Sequence, residues 1–236
     1  MFVLGSFREV LPIEGVQTWI VDPPYNIKYN YNSSFKDNLD AEQYSLMIYD
    51  LLELAYDSTK DNGSFFLINY PDIIAELFID IKRSRWNVHQ WITWVYPSNI
   101  GMSNRKFTRA SRTVLWLSKG EPKVNISAVQ QPYKNPKDKR IMGQMAKGKT
   151  GTNLYDWWDI NLCKNVSKDK NDYVNQIPAE LLRRLILSTT EEGDLVADGM
   201  CGSGSTVVAA ESLGRRGFGC DINENLLPIW EKHRGA

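Results

Sequence analysis

Apolar positions along this chain recur with two periods. Phe2–Leu4, Thr18–Val21 and Ser64–Ile68 are short apolar runs of strand length, rich in β-branched and aromatic residues. Between the second and third, Tyr44, Met47, Ile48, Leu51, Leu52 and Ala55 fall at helical spacing. They predict an amphipathic helix over Ala41–Thr59, ended by Lys60-Asp61-Asn62-Gly63. Pro71 precedes a second helix, Asp72–Ser84, and Pro178–Thr190 forms a third with Leu181, Leu182, Leu185 and Ile186 on one face. Asn87–Tyr96 and Arg112–Leu117 read as longer strands that pair antiparallel. Strands alternating with helices predict a mostly parallel sheet covered on both faces. Pro97–Ala110 is a loop, and Ser118–Asn153, with Pro122, Pro132 and Pro136, is irregular and too long for an ordinary connection. Trp157 and Trp158 are expected to dock its end back onto the core.

Asp22-Pro23-Pro24-Tyr25 follows the strand Thr18–Val21 directly. Proline fixes its own φ and pushes the preceding residue into an extended conformation, so Asp22 leaves the sheet on a stiff backbone. The Pro23 carbonyl is kept out of helix and ladder and stays available as an acceptor. An exocyclic amino group on a base is a poor nucleophile because its lone pair is delocalised into the ring. Two acceptors on its hydrogens localise that pair, while an aromatic face such as Tyr25 stacks on the base. A proline turn with a solvated Asp is the competing reading of these four residues.

Near the other end, Leu195–Asp198 is a short buried strand closing on an acid, followed by Gly199-Met200-Cys201-Gly202-Ser203-Gly204-Ser205-Thr206. The glycines permit a tight turn and close approach of a ligand, and Ala209 and Ala210 let the next helix pack against the sheet. Gly214 caps that helix. Arg216–Asp221 is the next strand, again ending in an acid that suits a ribose diol. The spacing is not Gly-x-Gly-x-x-Gly, and an acid at 198 repels a pyrophosphate. It attracts a cation instead, such as the amino group of S-adenosylmethionine.

At 236 residues and 42% hydrophobic, the chain fits one α/β domain with an insertion rather than two domains. Its formal net charge of +0 hides an uneven distribution. Residues 99–170 hold 15 Lys and Arg against 5 Asp and Glu, a surplus of +10 that the rest of the chain cancels. A basic block in an acidic protein is the footprint of phosphate-backbone binding, with a solvated polar insertion as the alternative. The candidate contacts are Arg105, Lys106, Arg109 and Arg112, then Lys134, Lys137, Lys139 and Arg140. Cys163, Cys201 and Cys220 form neither a metal spacing nor a disulfide framework, and His89 and His233 are the only histidines. No metal is expected. No signal peptide or long apolar span is visible, so a cytoplasmic location without membrane contact is expected.

Taken in order, these segments resemble the amino-group DNA methyltransferases of the permuted (β-class) arrangement, in which Asp-Pro-Pro-Tyr precedes the cofactor motif. That family carries Asp-Pro-Phe-x-Gly-Ser-Gly-Thr-Thr where this chain has Asp198 to Thr206, and the similarity runs through Phe65–Ile68, Trp94–Pro97, Thr113–Trp116, Asp156–Asp159 and Gln176-Ile177-Pro178. The resemblance implies a Rossmann-like S-adenosylmethionine-dependent methyltransferase fold over residues 1–236, with one antiparallel strand and residues 99–170 as a target-recognition insertion. It implies Asp22, Pro23, Pro24 and Tyr25 as the catalytic residues. Asp198, Met200, Gly202, Ser203, Gly204, Thr206, Asp221 and Gln176 are implied for the cofactor. Double-stranded DNA is the implied substrate, and a homodimer is a common family form. Asp at the first motif position points to adenine N6. Cytosine N4, RNA adenine and an inactive nucleic-acid-binding partner are the alternatives, and a link to a restriction enzyme is left open. Three departures stand out: Met200 replaces the family's aromatic, Gly5-Ser6 replaces Gly-Asp, and Tyr173–Pro178 keeps only Gln and the final Pro of its segment.

Overall fold

A computed structural model describes residues 1–29, 37–97, 104–163 and 176–234. Residues 98–103 of the basic loop, 164–170 of the basic block and Tyr173–Asn175 of the divergent segment lie outside the described residues. The elements run β1 (Phe2–Leu4), α1 (Phe7–Val10), β2 (Val16–Val21), α2 (Ala41–Ser58), β3 (Thr59–Asn69), α3 (Pro71–Arg83), β4 (Asn87–Val95) and β5 (Ser111–Ser118). They continue as α4 (Lys139–Met145), β6 (Trp157–Asp159), α5 (Ala179–Thr189), β7 (Leu195–Asp198), α6 (Ser205–Ser212), β8 (Arg216–Asp221) and α7 (Leu227–Arg234).

The strands form one sheet in the order β1-β8-β7-β2-β3-β5-β4-β6. Among the described residues only β5 runs against its neighbours, β3 and β4, and the remaining pairs are parallel, which matches the expected single antiparallel strand. Successive residues of a strand point to opposite faces, so neighbours in sequence supply different cores. Trp19 and Phe65 pack under α1, α2 and α3 with Leu51 and Ile74, while Ile20 and Phe66 pack on the other face with Leu185 and Ala210. All six residues of β2 are buried, as a central parallel strand requires.

Most of the periodicity reading holds, with local differences. The apolar stripe of α2 is buried, and Asp40 with Gln43 closes a capping box at its start. Its expected terminator, Lys60–Gly63, instead belongs to β3, which follows the helix without a loop. The polar residues bulge out of the ladder, because Val16 pairs with Thr59 and Thr18 with Ser64. The Gln17 amide donates to the Asn62 carbonyl at 3.2 Å, and the Lys119 N–H to that of Gly63 at 3.0 Å. Those tertiary partners replace the ladder bonds that the local sequence forgoes. Ser6 caps α1 with Glu9 as its partner, so the departure from Gly-Asp retains a capping side chain.

The long irregular stretch leaves the body between Gln131 and Thr152, whose backbones exchange hydrogen bonds at 3.0 and 2.9 Å. The lobe between them carries α4, which buries no residue. Trp158 is buried and its indole N–H donates to the Tyr155 carbonyl, whereas Trp157 is half exposed. Among the described residues, no helix is long and apolar enough to cross a membrane.

Candidate active site

Acids that end β2, β7 and β8 share the carboxyl edge of the sheet, because these strands are parallel neighbours. Asp22 and Asp198 are 176 positions apart in sequence, yet Trp19 lies opposite Ala197 in the ladder. A cavity of about 170 Å³ opens at this edge, lined by Asp22–Tyr25, by residues 198–203, and by Asp221 and Gln176.

The backbone of the first motif is clamped. Tyr44 Oη, from α2, donates to the Pro24 carbonyl at 2.7 Å, and Asn69 Nδ2, at the end of β3, donates to that hydroxyl at 2.8 Å. Among the described residues, no donor is bonded to the Pro23 carbonyl. After Tyr25 the chain turns through Asn26 and Lys28, both at positive φ (55° and 64°). The Asp37 carboxylate holds that turn by accepting the N–H groups of Asn26, Ile27 and Tyr29 at 2.8 to 3.0 Å. Sequence reasoning missed Asp37 altogether. Tyr44 was visible only as part of an apolar stripe, although a buried phenol needs a polar partner.

Asp22 receives a hydrogen bond from Tyr25 Oη, and Arg112 Nη1 lies 3.7 Å from its other oxygen. Burial raises the Asp22 pKa, while Arg112 and the Tyr25 hydrogen bond oppose the rise. The Tyr25 hydroxyl is pushed well above its usual range, first by burial and then by the Asp22 charge.

Arg112 was expected on the phosphate-binding surface, and the structure corrects this. It is 6% exposed. The guanidinium carbon lies 4.8 Å from the Tyr25 ring centroid, 5.1 Å from that of Trp94 and 5.8 Å from that of Tyr96. The reason is topological. Antiparallel β5 begins at the carboxyl edge, and position 112 shares the inward face with buried Val114 and Trp116. Arg105, Lys106 and Arg109 do lie on the exposed loop before β5. Arg109 also bonds Asp72 at 2.7 Å. Lys134, Lys137, Lys139 and Arg140 are exposed on the lobe.

In the second motif, Asp198 Oδ1 accepts from the Met200 N–H at 3.1 Å and Oδ2 from Thr206 Oγ1 at 2.8 Å. Burial pushes its pKa up to about 7, and the nearby acids Asp22 and Asp221 add to the rise. Asp221 accepts from the Gly202 and Asn223 N–H groups at 2.9 and 3.0 Å, and burial raises its pKa as well. Met200, Gly202, Ser203 and Gln176 line the cavity. Gly204 and Thr206 do not. Gly204 takes φ +80° with the Phe2 ring where a Cβ would stand, and Thr206 is fully buried on Asp198. Both shape the loop from behind. The indole N–H of Trp230, on α7, donates to the Gly202 carbonyl at 2.9 Å, a clamp with no signal in the local sequence.

A cleft with one buried and two partly buried acids, an open carbonyl and an aromatic ring suits a cation and an amino group, and repels phosphates. Strand order and cleft position define an α/β fold of the Rossmann-like methyltransferase class. The solved PvuII DNA methyltransferase (cytosine-N4-specific) shares this fold with a TM-score of 0.75 at 18% identity, covering 98% of this chain and 85% of that one. Residues 16–232 match the N6/N4 methyltransferase family of DNA methylases, and the chain belongs to that family. The type II methyltransferase M.HpaI of Haemophilus parainfluenzae is 27% identical over 213 residues, which make up 89% of this chain and 65% of M.HpaI. This chain therefore spans about two thirds of that relative. The DNA adenine methyltransferase YhdJ of Escherichia coli (strain K12) is 23% identical over 236 residues, covering 93% and 76% of the two chains.

Proposed function

We propose that the chain transfers a methyl group from S-adenosylmethionine to the exocyclic amino group of a base flipped out of double-stranded DNA, with adenine N6 as the target. One observation carries this reading: Asp22-Pro23-Pro24-Tyr25 and the acidic glycine loop line the same cavity. S-adenosylmethionine, when bound, supplies an electrophilic methyl carbon on a sulfonium. Asp221 would accept from its ribose diol and Asp198 would face the ammonium of its methionyl part, in the cavity that Met200, Gly202, Ser203 and Gln176 also line. The raised pKa of Asp198 supports its assignment, since a buried carboxylate among acids gains most from a ligand cation.

Asp22 and the Pro23 carbonyl would accept the two amino hydrogens, which localises the nitrogen lone pair for attack. The orientation that Asp22 and Pro23 impose on the amino group would supply much of the rate as the sulfonium gives up its methyl group to that nitrogen and the S–C bond breaks. The amino proton becomes acidic only as the methyl arrives. Asp22, its pKa raised by burial, takes that proton and passes it to solvent. Tyr25 Oη holds Asp22 before the base enters and gives way to the amino group, and its ring then stacks on the base.

Asp at position 22 and the likeness to a DNA adenine methyltransferase support adenine over cytosine. Residues 99–170 act as the target-recognition region, with Arg105, Lys106 and Arg109 on the exposed loop before β5 and Lys134, Lys137, Lys139 and Arg140 on the lobe contacting phosphates. The test is to express the chain in cells and sequence their DNA by a method that detects modified bases. N6-methyladenine in one sequence context is expected, lost with Asp22→Ala while cofactor binding persists. N4-methylcytosine would reassign the target. Unmodified DNA from cells holding folded, cofactor-binding protein would overturn the reading.

A further inference from the structure

Arg112 is the residue whose placement the chemistry above leaves unexplained. Removing a guanidinium from water is expensive, and an apolar residue of similar size fills a core at least as well. Positions 114 and 116 on the same face are Val and Trp. A pair built for stability would be bidentate, with its remaining donors satisfied. Here Nη1 is 3.7 Å from Asp22 Oδ2, beyond hydrogen-bond range but well within Coulombic reach. Nε is buried and has no hydrogen-bond partner among the described residues. The guanidinium is held instead by aromatic rings: Tyr25, Trp94 and Tyr96 together with Tyr70, 5.9 Å away. Tyr96 is fixed in turn by its hydroxyl, which donates to the Ser111 carbonyl at 3.1 Å.

We propose that Arg112 is a positioning residue of the methyl-transfer site, whose caged guanidinium keeps the Asp22 carboxylate ionised and aimed into the cleft. The proposal rests on the functional reading above. Around Asp22 stand Tyr25 on its own loop, Tyr44 on α2, Arg112 on β5 and Asp198 on β7; Tyr70 before α3, Tyr96 after β4 and Arg109 on the loop before β5 stand behind them, against Tyr25 and Arg112. Arg109 and Arg8, also near the cleft, pair with Asp72 and Asp50, and Arg112 is the charge that offsets the burial of Asp22. A protonated Asp22 would present a donor where the amino group needs an acceptor. Arg112 touches no reacting atom. It acts through Asp22.

The test compares wild type with Arg112→Met and Arg112→Lys, following kcat, KM for duplex DNA and S-adenosylmethionine affinity from about pH 5 to pH 9. In the Met variant the acid limb of kcat should move up by roughly one to three pH units, the effect of one opposite charge at this range. Activity should recover as pH rises, with cofactor affinity unchanged. Arg112→Lys, which keeps the charge, should stay close to wild type. An unmoved limb, or a loss equal at every pH, would overturn the proposal. Should Arg112→Met fail to fold, the 13C carboxyl resonance of Asp22, assigned with Asp22→Asn, decides in the wild type. Ionised Asp22 at neutral pH is expected, and a protonated one would sink the idea. This titration needs no turnover, so an inactive wild type would remove the functional reading while the charge of Asp22 was still measured.

Discussion

Asp198→Asn should stabilise the ligand-free protein at neutral pH and have little effect in acid. Asp198 is 3% exposed. Its pKa rises from 3.8 to about 7, chiefly through burial. A carboxyl raised in this way keeps a proton in the folded state that the unfolded chain has already released. Its contribution to stability is therefore fully present below about pH 4, falls as pH rises through the window from 3.8 to about 7, and is lost above it. About three pKa units at about 1.4 kcal/mol each put the neutral-pH penalty on the order of 4 kcal/mol. Roughly 3 kcal/mol of that accrues between pH 5 and pH 8. Asn preserves the local bonds, since its oxygen accepts from the Met200 N–H and its amide donates to the Thr206 hydroxyl, which rotates to receive it. Urea unfolding of both proteins at the two pH values gives the comparison, with equal m-values required. The stability gap should widen by about 3 kcal/mol toward pH 8. A gap of the same size at both pH values would refute the burial argument. The same charge acts on the ligand. Affinity for S-adenosylmethionine should rise through pH 7 in the wild type and stay flat in the Asn variant.

Asp221→Ala should weaken S-adenosylmethionine binding by about 1.5–3 kcal/mol, the value of a charge-assisted hydrogen bond. Calorimetry with unchanged affinity would withdraw the ribose assignment. Neutralising Lys134, Lys137, Lys139 and Arg140 together should weaken binding to all duplexes alike, and lower the log–log salt slope by roughly 0.9 for each phosphate no longer neutralised. Cofactor affinity should not move, because none of these four residues lines the cavity. An unaltered slope would make the lobe a solvated excursion.

What the sequence determined by itself is what depends on neighbours along the chain. The helical spacing of Tyr44 to Ala55, the buried run at 64–68 and the proline-stiffened Asp22 are local properties, and the structure repeats them. The reach of the two motifs into one cleft was legible too, because parallel βα units bring the carboxyl ends of their strands to one edge. Tertiary structure decided whatever depends on a partner distant in sequence. Lys60–Gly63 reads as a terminator and becomes a bulged strand because Gln17 and Lys119 donate to its carbonyls. Arg112 reads as a phosphate contact, since a charge in a basic segment looks solvated. Its position on antiparallel β5 turns it inward against Asp22 and a set of aromatic rings. Gly204 and Thr206 read as ligand contacts, yet Phe2 and Asp198 occupy their exposed sides first. Tyr44, Asn69, Asp37 and Trp230 hold the motif backbones through bonds that join separate elements. Such bonds leave no periodicity or spacing to read. Backbone preference and side-chain period are set within a few residues, whereas burial and charge are set by whatever the fold packs alongside.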